Sequence, residues 1–578
     1  MSRIFALTAQ PLVQGFAGGL LLALAACNAS QPESAQVQAP ERLLERVAAD
    51  QAIAQPRGKH AELSGYAAPA LQPAALPMVP PADSLPPAYR EASREQYQKL
   101  AANPVQAVAE APVSTFSIDV DTGSYANVRR FLNQGQLPPA EAVRLEELVN
   151  YFPYAYPQPQ GDTPFGVGSE LAVTPWNPES RLLRIAIKAA DQSVAALPPA
   201  NLVFLVDVSG SMGRREGLPL VQSTLKLLVE QLRAQDRVAL VVYAGESRVV
   251  LESTAGSEKA KIRAAIEQLR AGGSTAGESG IQLAYQQAQQ GFIEGGINRI
   301  LLATDGDFNV GISDFDTLKA LAAAKRKSGI SLTTLGFGTD NYNEQLMEQL
   351  ADAGDGNYAY IDNLREARKV LVDQLGSTLA TVARDVKLQV EFNPAQVSEY
   401  RLLGYENRAL RREDFANDKV DAGEIGAGHS VTALYEIVPV GHKGWLEPLR
   451  YQSVDSSAVA KPADKQGELA LLRIRYKAPQ QARSKLLEVP LQAPQRVPAI
   501  AAASADLRFA AAVAAFAQQL KGGQYTGAFD LAASAELARS GKGEDRFGLR
   551  GEFVQLVELA QSLQTALPIP APHAAKVD

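Results

Sequence analysis

The stretch Val203-Phe204-Leu205-Val206-Asp207-Val208-Ser209-Gly210-Ser211-Met212 constrains the fold more than any other in the chain. An apolar run with no charge in it ends abruptly in a carboxylate and two hydroxyls. With both faces apolar, the run reads as a fully buried strand of a parallel sheet. The residues after it read as a loop at that strand's C-terminal end, where open α/β sheets bind ligands. Asp207, Ser209 and Ser211 then present three oxygens from one short turn, and Gly210 lets the backbone bend there at little steric cost. Hard oxygen donors with no His or Cys beside them suit Mg²⁺ or Mn²⁺ rather than zinc or copper.

The pattern continues on either side. From Asn201 onward strand and helix periodicities alternate, the mark of a doubly wound, mostly parallel α/β sheet with crossover helices. A helix begins near Leu218, with Val221, Leu225, Leu228 and Leu232 on one face. Strands are expected at 236–244 and 248–253. The short Gly245-Glu246-Ser247 link between them predicts a hairpin, and so one antiparallel edge strand. Helices at 258–270, 278–291, 315–328, 343–352 and 363–381 alternate with strands at 298–304, 330–336 and 357–361. The unit is assigned to residues 200–383.

Two further pieces suit the same site. Gly272-Gly273-Ser274-Thr275-Ala276-Gly277 is a Gly-rich loop with a hydroxyl at its centre, and Ile300-Leu301-Leu302-Ala303-Thr304-Asp305 is a second buried-strand pattern ending in a carboxylate. The set Asp207, Ser209, Ser211, Thr275 and Asp305 resembles the metal-ion-dependent adhesion site of von Willebrand factor A domains, in that family's order. The resemblance implies a Mg²⁺ or Mn²⁺ ion held by these five residues, with one coordination position left for a partner's Asp or Glu. Arg214, Arg215 and Glu216 lie on the expected rim, either as solvated charges or as groups that select a partner. Asp305-Gly306-Asp307 is not an EF-hand loop, because Val310 stands where that loop needs Gly. Gly336-Phe337-Gly338 lacks the third Gly of a dinucleotide site, so no nucleotide is expected.

The chain has 578 residues, too many for one ordinary domain. A net charge of −7 gives no reason to expect nucleic acid. The four His, at 60, 429, 442 and 573, are scattered without zinc-ligand spacing, and the single Cys excludes an intrachain disulfide. That Cys closes an apolar segment, 4–26, which ends Leu24-Ala25-Ala26-Cys27 and reads as a signal peptide. The ending resembles the lipobox of bacterial lipoproteins, which implies that Cys27 is lipidated and anchors residues 28–578 to a membrane. Asn28, not being Asp, favours the outer membrane, facing the periplasm. Residues 28–112, rich in Ala, Pro and Gln, read as a disordered tether.

Residues 113–195 carry the most distinctive local patterns. Asp119 and Asp121-Thr122-Gly123-Ser124 suggest an aspartic-protease half-site or a second metal loop. The protease needs two carboxylates sharing a proton, and no second D-T-G or D-S-G follows an apolar strand. The alternative is a strand followed by a helix from about Tyr125, capped by Asp121, Thr122 or Ser124. A second helix is expected from about Pro139 to Tyr151. The aromatic Phe152-Pro153-Tyr154-Ala155-Tyr156-Pro157 reads as packing across a domain seam, or else as a peptide-binding surface. The stretches F-S-I-D-V-D-T-G-S-Y-A-N-V-R-R-F-L and E-E-L-V-N-Y-F, with the sheet domain after them, resemble YfbK-type bacterial von Willebrand factor A lipoproteins. That resemblance implies an envelope location and a metal-binding A domain, but no defined activity.

Beyond Asp385 the pattern returns to strand alternation at 386–392, 399–404, 430–437, 468–476 and 484–491. These strands, assigned to a β-rich domain at 385–495, are expected to join those of 113–190 in one β-sandwich interrupted by the A domain. Helices follow at 503–521, 525–540 and 549–564, within a segment assigned to 500–566. No catalytic constellation occurs in this region, and the chain is read as a binding protein, not an enzyme. Its partner is expected to be a protein carrying an acidic residue. The rival readings are an envelope hydrolase using the metal or Asp119/Asp121, and a scaffold whose metal only stabilises loops. Metal hydrolysis wants a general base beside an open position, and neither His nor Glu is placed for it.

Overall fold

The computed structural model describes residues 95–566, apart from 119–120, 274–276, 307–314, 340–341, 421, 448, 450–466 and 480. The signal segment, Cys27 and most of the 28–112 tether therefore lie outside the described residues, as do Asp119, Thr275, Asp307 and Val310.

The apolar run becomes the strand Ala200–Asp207, buried along its whole length at the centre of a six-stranded sheet. Across the sheet the strands run Tyr358–Tyr360, Ser331–Gly336, Ile297–Thr304, Ala200–Asp207, Arg237–Tyr243 and Ser247–Ala255. All neighbours pair in parallel except the last two, which form the expected antiparallel edge. The unbroken hydrophobicity of the central strand has a direct cause, since its two faces feed two different cores. Leu202, Phe204 and Val206 pack with Val221, Leu225, Ile262 and Ile266, from the helices Leu218–Gln231 and Lys259–Glu267. Val203 and Leu205 pack with Ile281, Leu318, Met347 and Leu350, from the helices Gly277–Gln290, Phe315–Arg326 and Glu344–Ala353.

Two antiparallel sheets flank this unit. One orders as Gln106–Ala107, Val397–Leu403, Ser430–Pro439, Asn177–Ala189 and Phe165–Thr174. The other contains Ile425–Gly426, Thr381–Phe392, Glu468–Lys477 and Lys485–Gln492, with Val113–Ser117 also paired to Thr381–Phe392. They share one core, in which Phe116, Leu388 and Phe392 meet Ile185, Tyr400 and Tyr435. The chain leaves this sandwich after Ala189, builds the parallel sheet, and re-enters at Thr381.

The helices Ala505–Leu520, Leu531–Ser540 and Leu549–Ala566 form a fourth core with the aromatic segment. Phe152 meets Phe509 and Phe553 edge-on, with ring centroids 4.8 and 5.6 Å away, the arrangement that opposes ring edge to ring face. The aromatic stretch is thus packed at a seam.

Several expected helices differ from those observed. The expected helix from Pro139 to Tyr151 is instead a 3₁₀ turn, Ala140–Ala142, an extended Val143-Arg144 step, and a helix Leu145–Asn150. The Ser124 hydroxyl holds the break open, donating to Ala142 O (2.6 Å) and accepting from Arg144 N (2.8 Å). The expected helix at 363–381 divides into Leu364–Arg368, a π turn Lys369–Asp373 and Leu375–Leu379. The extra residue in the π turn lets Val370, Leu371, Leu375 and Leu379 all reach the same core. The expected 525–540 helix starts only at Leu531, where Asp530 accepts from Ala533 N. The helix Gly123–Asn133 has Thr122 at its N-cap with no side-chain cap bond. The expected capping is replaced by Glu147, which accepts from Ser124 N at 2.8 Å.

Candidate metal centre

Strand register places the two acids. Val206 pairs with Ala303, so the strands bearing Asp207 and Asp305 end side by side. Asp207 is fully buried, Ser209 is 2% and Asp305 3% exposed, whereas Ser211 lies open to solvent. The oxygens therefore step from a buried floor to an exposed rim. Asp207 Oδ1 accepts from Ser209 N at 2.8 Å and Oδ2 from the Thr304 hydroxyl at 2.9 Å. The hydroxyls of Ser209 and Ser211 are 3.0 Å apart. Asp207 takes part in no ion pair among the described residues.

Backbone bonds tie the loops together. Gly272 N donates to Val208 O at 2.8 Å, and Gly210 N donates to Gly273 O at 3.1 Å. Gly273 has φ +87°, a conformation that suits Gly. The Gly-rich loop is thereby pinned against the Asp207 loop two residues before Thr275, which itself is outside the described residues. Gly338, also at positive φ, gives Asp305 room, since a Cβ there would lie 3.3 Å from Asp305 Cβ.

Electrostatics single out the pair. Burial, followed by the neighbouring Asp305 charge, raises the Asp207 carboxyl to about 6, against downward pulls from Ser209 and Thr304. Two acids facing one another in a buried floor, with hydroxyls above, form an oxygen-only donor set that fits a hard divalent cation.

Sequence reasoning does not single out Thr304, which bonds Asp207 and also accepts from Gly306 N at 3.1 Å. A hydroxyl closing an otherwise aliphatic strand is the available signal. Arg214, Arg215 and Glu216 are exposed on the rim. Among the described residues Asp121 makes a backbone hydrogen bond and an ion pair. Its Oδ1 accepts from Tyr358 N at 2.9 Å and its Oδ2 pairs with Arg408 at 3.2 Å. It serves as a clamp between the helix Gly123–Asn133 and the edge of the parallel sheet.

Comparison with known proteins agrees with this architecture. The von Willebrand factor type A domain matches residues 201–374, a von Willebrand factor model matches 91–184, and the model described as "Uncharacterized protein YfbK, C-terminal" matches 377–563. The "Uncharacterized protein YfbK" of Escherichia coli strain K12 is 53% identical over 475 residues, spanning 81% of each chain. The chain belongs to the YfbK family. More distant similarity falls on smaller parts of this YfbK-family chain. The "Uncharacterized protein sll0103" of Synechocystis sp. is 34% identical over 189 residues, covering 32% of this chain and 43% of that protein. Human inter-alpha-trypsin inhibitor heavy chain H4 is 29% identical over 150 residues, 25% of this chain and 16% of that one. Among solved structures, a von Willebrand factor type A protein from Catenulispora acidiphila aligns over 69% of this chain and 91% of its own, at 16% identity and a TM-score of 0.38. The A domain that this YfbK-family member carries is a module of protein interaction and adhesion in general. Among the described residues no helix is long and apolar enough to cross a membrane.

Proposed function

We propose that the A domain binds a divalent cation, Mg²⁺ or Mn²⁺, and through it an acidic group on a protein partner. The observation that carries this reading is the pairing of Asp207 and Asp305 on adjacent strand ends, beneath the hydroxyls of Ser209 and Ser211. These four residues would hold the ion, together with Thr275 by resemblance to the A-domain pattern. A bound cation would supply a Lewis-acidic position able to accept a partner's carboxylate. Around it, Asp207 is oriented by Ser209 N and Thr304, and the exposed Ser211 and the charged 214–216 segment form the surface a partner meets.

The same proposal places the chain in the bacterial envelope, tethered through a lipidated Cys27 and the 28–112 segment, on the periplasmic face of the outer membrane. Binding rather than catalysis is assigned, by resemblance of these donors to the A-domain adhesion pattern. Crosslinking in cells, comparing wild type with Ser209→Ala/Ser211→Ala, tests the metal-dependent contact. A partner captured by wild type, lost with EDTA and lost in the double variant is the expected result. Capture indifferent to both would leave the cation a purely structural role and overturn the proposal. Incorporation of labelled palmitate, abolished by Cys27→Ser, is the expected outcome for the anchor.

A further inference from the structure

Buried carboxyls crowd the seam where the helix Glu344–Ala353, of the parallel-sheet unit, meets the helices Gly123–Asn133 and Leu145–Asn150 and the turn at 404–408. Glu146, Glu147, Glu344 and Glu348 are between 1% and 5% exposed. Hydrogen bonds fix how close they lie. Glu147 Oε2 accepts from Ser124 N at 2.8 Å, and Glu344 Oε1 accepts from Asn127 Nδ2 at 3.3 Å. Ser124 and Asn127 stand one turn apart on a single helix face, so these two carboxyls are neighbours. Glu348 follows one turn after Glu344, and its Oε1 accepts from Asn407 Nδ2 at 2.6 Å and from Arg408 Nη2 at 2.8 Å. The Glu146 carboxyl lies against Gly404, where a Cβ would come within 2.5 Å of Oε2. None of these groups belongs to the candidate metal centre.

The seam holds more acid than base. Arg408 is shared by Asp121, Glu348 and Asp352, at 3.2, 2.8 and 2.7 Å. Glu406, on the same turn, has Lys521 at 3.7 Å, and Arg130 is paired with Glu95 at 2.8 Å. Arg144 is the guanidinium beside Glu146, Glu147 and Glu344. Among the described residues it forms an ion pair with none of them, and its Nη2 donates to Gln98 O at 2.9 Å instead. Asp316, Lys319 and Arg326 share a surface groove with Asp352, near the other end of Glu344–Ala353. The hydroxyls of Tyr97, Tyr342, Tyr358 and Tyr405 also face these acids, and burial holds each above its usual value, so they stay neutral.

A carboxylate shut away from water needs partners on both of its oxygens. Glu146 Oε2 and Glu344 Oε2 are buried with no hydrogen-bond partner, an arrangement that suits the neutral acid. Burial, then the Glu406 charge, raises the Glu146 carboxyl to about 7. Burial, against the opposing pull of Arg144, raises Glu344 to about 8, and burial followed by Glu344 holds Glu147 well above the usual carboxylate range. Glu348 is raised by burial despite Arg408. We propose that the seam is a proton-held latch: neutral carboxyls on Glu146, Glu147 and Glu344 keep the helix Glu344–Ala353 docked against Gly123–Asn133 and Leu145–Asn150, and alkaline conditions that ionise them release it. Once the seam opens, water reaches the acids and they ionise at their ordinary value of 4.5. The docked form therefore loses ground as pH rises above 4.5, and the loss is complete when the docked acids have ionised too.

Hydrogen exchange of the full chain in EDTA, at about pH 6.5 and about pH 9, tests this, with each amide's rate divided by its unprotected rate at the same pH. Protection of the three helices should fall by roughly ten- to hundredfold between the two conditions, tenfold for each pH unit over which a docked acid stays protonated. The sandwich strand Glu468–Lys477 should keep its protection. Glu344→Gln keeps an acceptor for Asn127 and carries no charge, so it should restore roughly tenfold of the protection lost at the higher pH. Glu146→Gln should restore a smaller factor. The proposal is overturned if wild-type protection is the same at both pH values, or if the sandwich strand loses protection in step with the helices. It is equally overturned if Glu344→Gln responds to pH as wild type does, or if it is less protected than wild type at the lower pH, since the seam would then rely on an ionised Glu344. Should Glu344→Gln fail to fold, the wild-type comparison and Glu146→Gln decide.

Discussion

Replacing Asp207 by Asn should stabilise the metal-free protein and, at the same time, abolish its response to Mg²⁺ or Mn²⁺. The folded Asp207 carboxyl is raised from 3.8 to about 6 by burial and by Asp305. Because the folded value lies above the unfolded one, ionisation opposes folding. The penalty is absent below pH 3.8 and complete above pH 6. The rise is a little over two units, and at 1.36 kcal/mol per unit it amounts to about 3 kcal/mol at pH 8. Asn is nearly isosteric, carries no charge, and keeps an acceptor for Ser209 N. The two tryptophans, Trp176 and Trp445, lie outside the parallel sheet, so their fluorescence is a poor reporter. Hydrogen exchange of the strands Ala200–Asp207 and Ile297–Thr304 is the direct assay. In EDTA at pH 8, Asp207→Asn should slow their exchange by up to about a hundredfold relative to wild type. Metal at a hundredfold excess over its dissociation constant should then protect wild type by about 2.7 kcal/mol and leave the variant unchanged. An Asn variant that exchanges faster than wild type in EDTA, or that still gains protection from Mg²⁺ and Mn²⁺, would refute the electrostatic reasoning.

Other perturbations probe the surrounding structure. Arg129 is fully buried and binds Asp362, Glu366 and Glu552 at 2.5, 2.8 and 3.2 Å. Arg129→Met strands those acids, and urea unfolding should show a loss of about 3–5 kcal/mol. His429 has a folded value of about 4 against 6.5 when free. Its neutral form stabilises the fold fully above pH 6.5, and that contribution, up to about 3 kcal/mol, is lost as pH falls through 4. His429→Gln should flatten the stability–pH curve over that window in calorimetric scans. A Cβ on Gly426 would come within 1.9 Å of Ser377 O, a backbone atom. Gly426→Ala should therefore cost about 2 kcal/mol or more, read as a lowered melting temperature.

What could be read from the sequence depended on how local the physics was. The central strand was legible because both of its faces are buried, which leaves an unbroken aliphatic run. Asp207 and Asp305 were legible because each closes such a run. The break at Val143-Arg144 was not, because it is imposed by Ser124, some twenty residues earlier. The π turn at Lys369 was equally hidden, since its extra residue answers to packing against the parallel sheet. The contacts of Asp121 were hidden for a similar reason. Its neighbours D-T-G-S suggest chemistry, while its actual partners, Tyr358 and Arg408, lie more than two hundred residues away.

The route of the chain through the sandwich sets a timetable for its assembly. Val113–Ser117 pairs along its whole length with Thr381–Phe392, and Asn177–Ala189 pairs with Ser430–Pro439 some 250 residues later. Those two pairings close only once about 250 further residues are available, whereas the hairpin of Phe165–Thr174 with Asn177–Ala189 needs none of them. The parallel sheet, encoded wholly within that interval, can close first. It then brings Ala189 and Thr381 together as a ready-made hinge on which the sandwich zips shut.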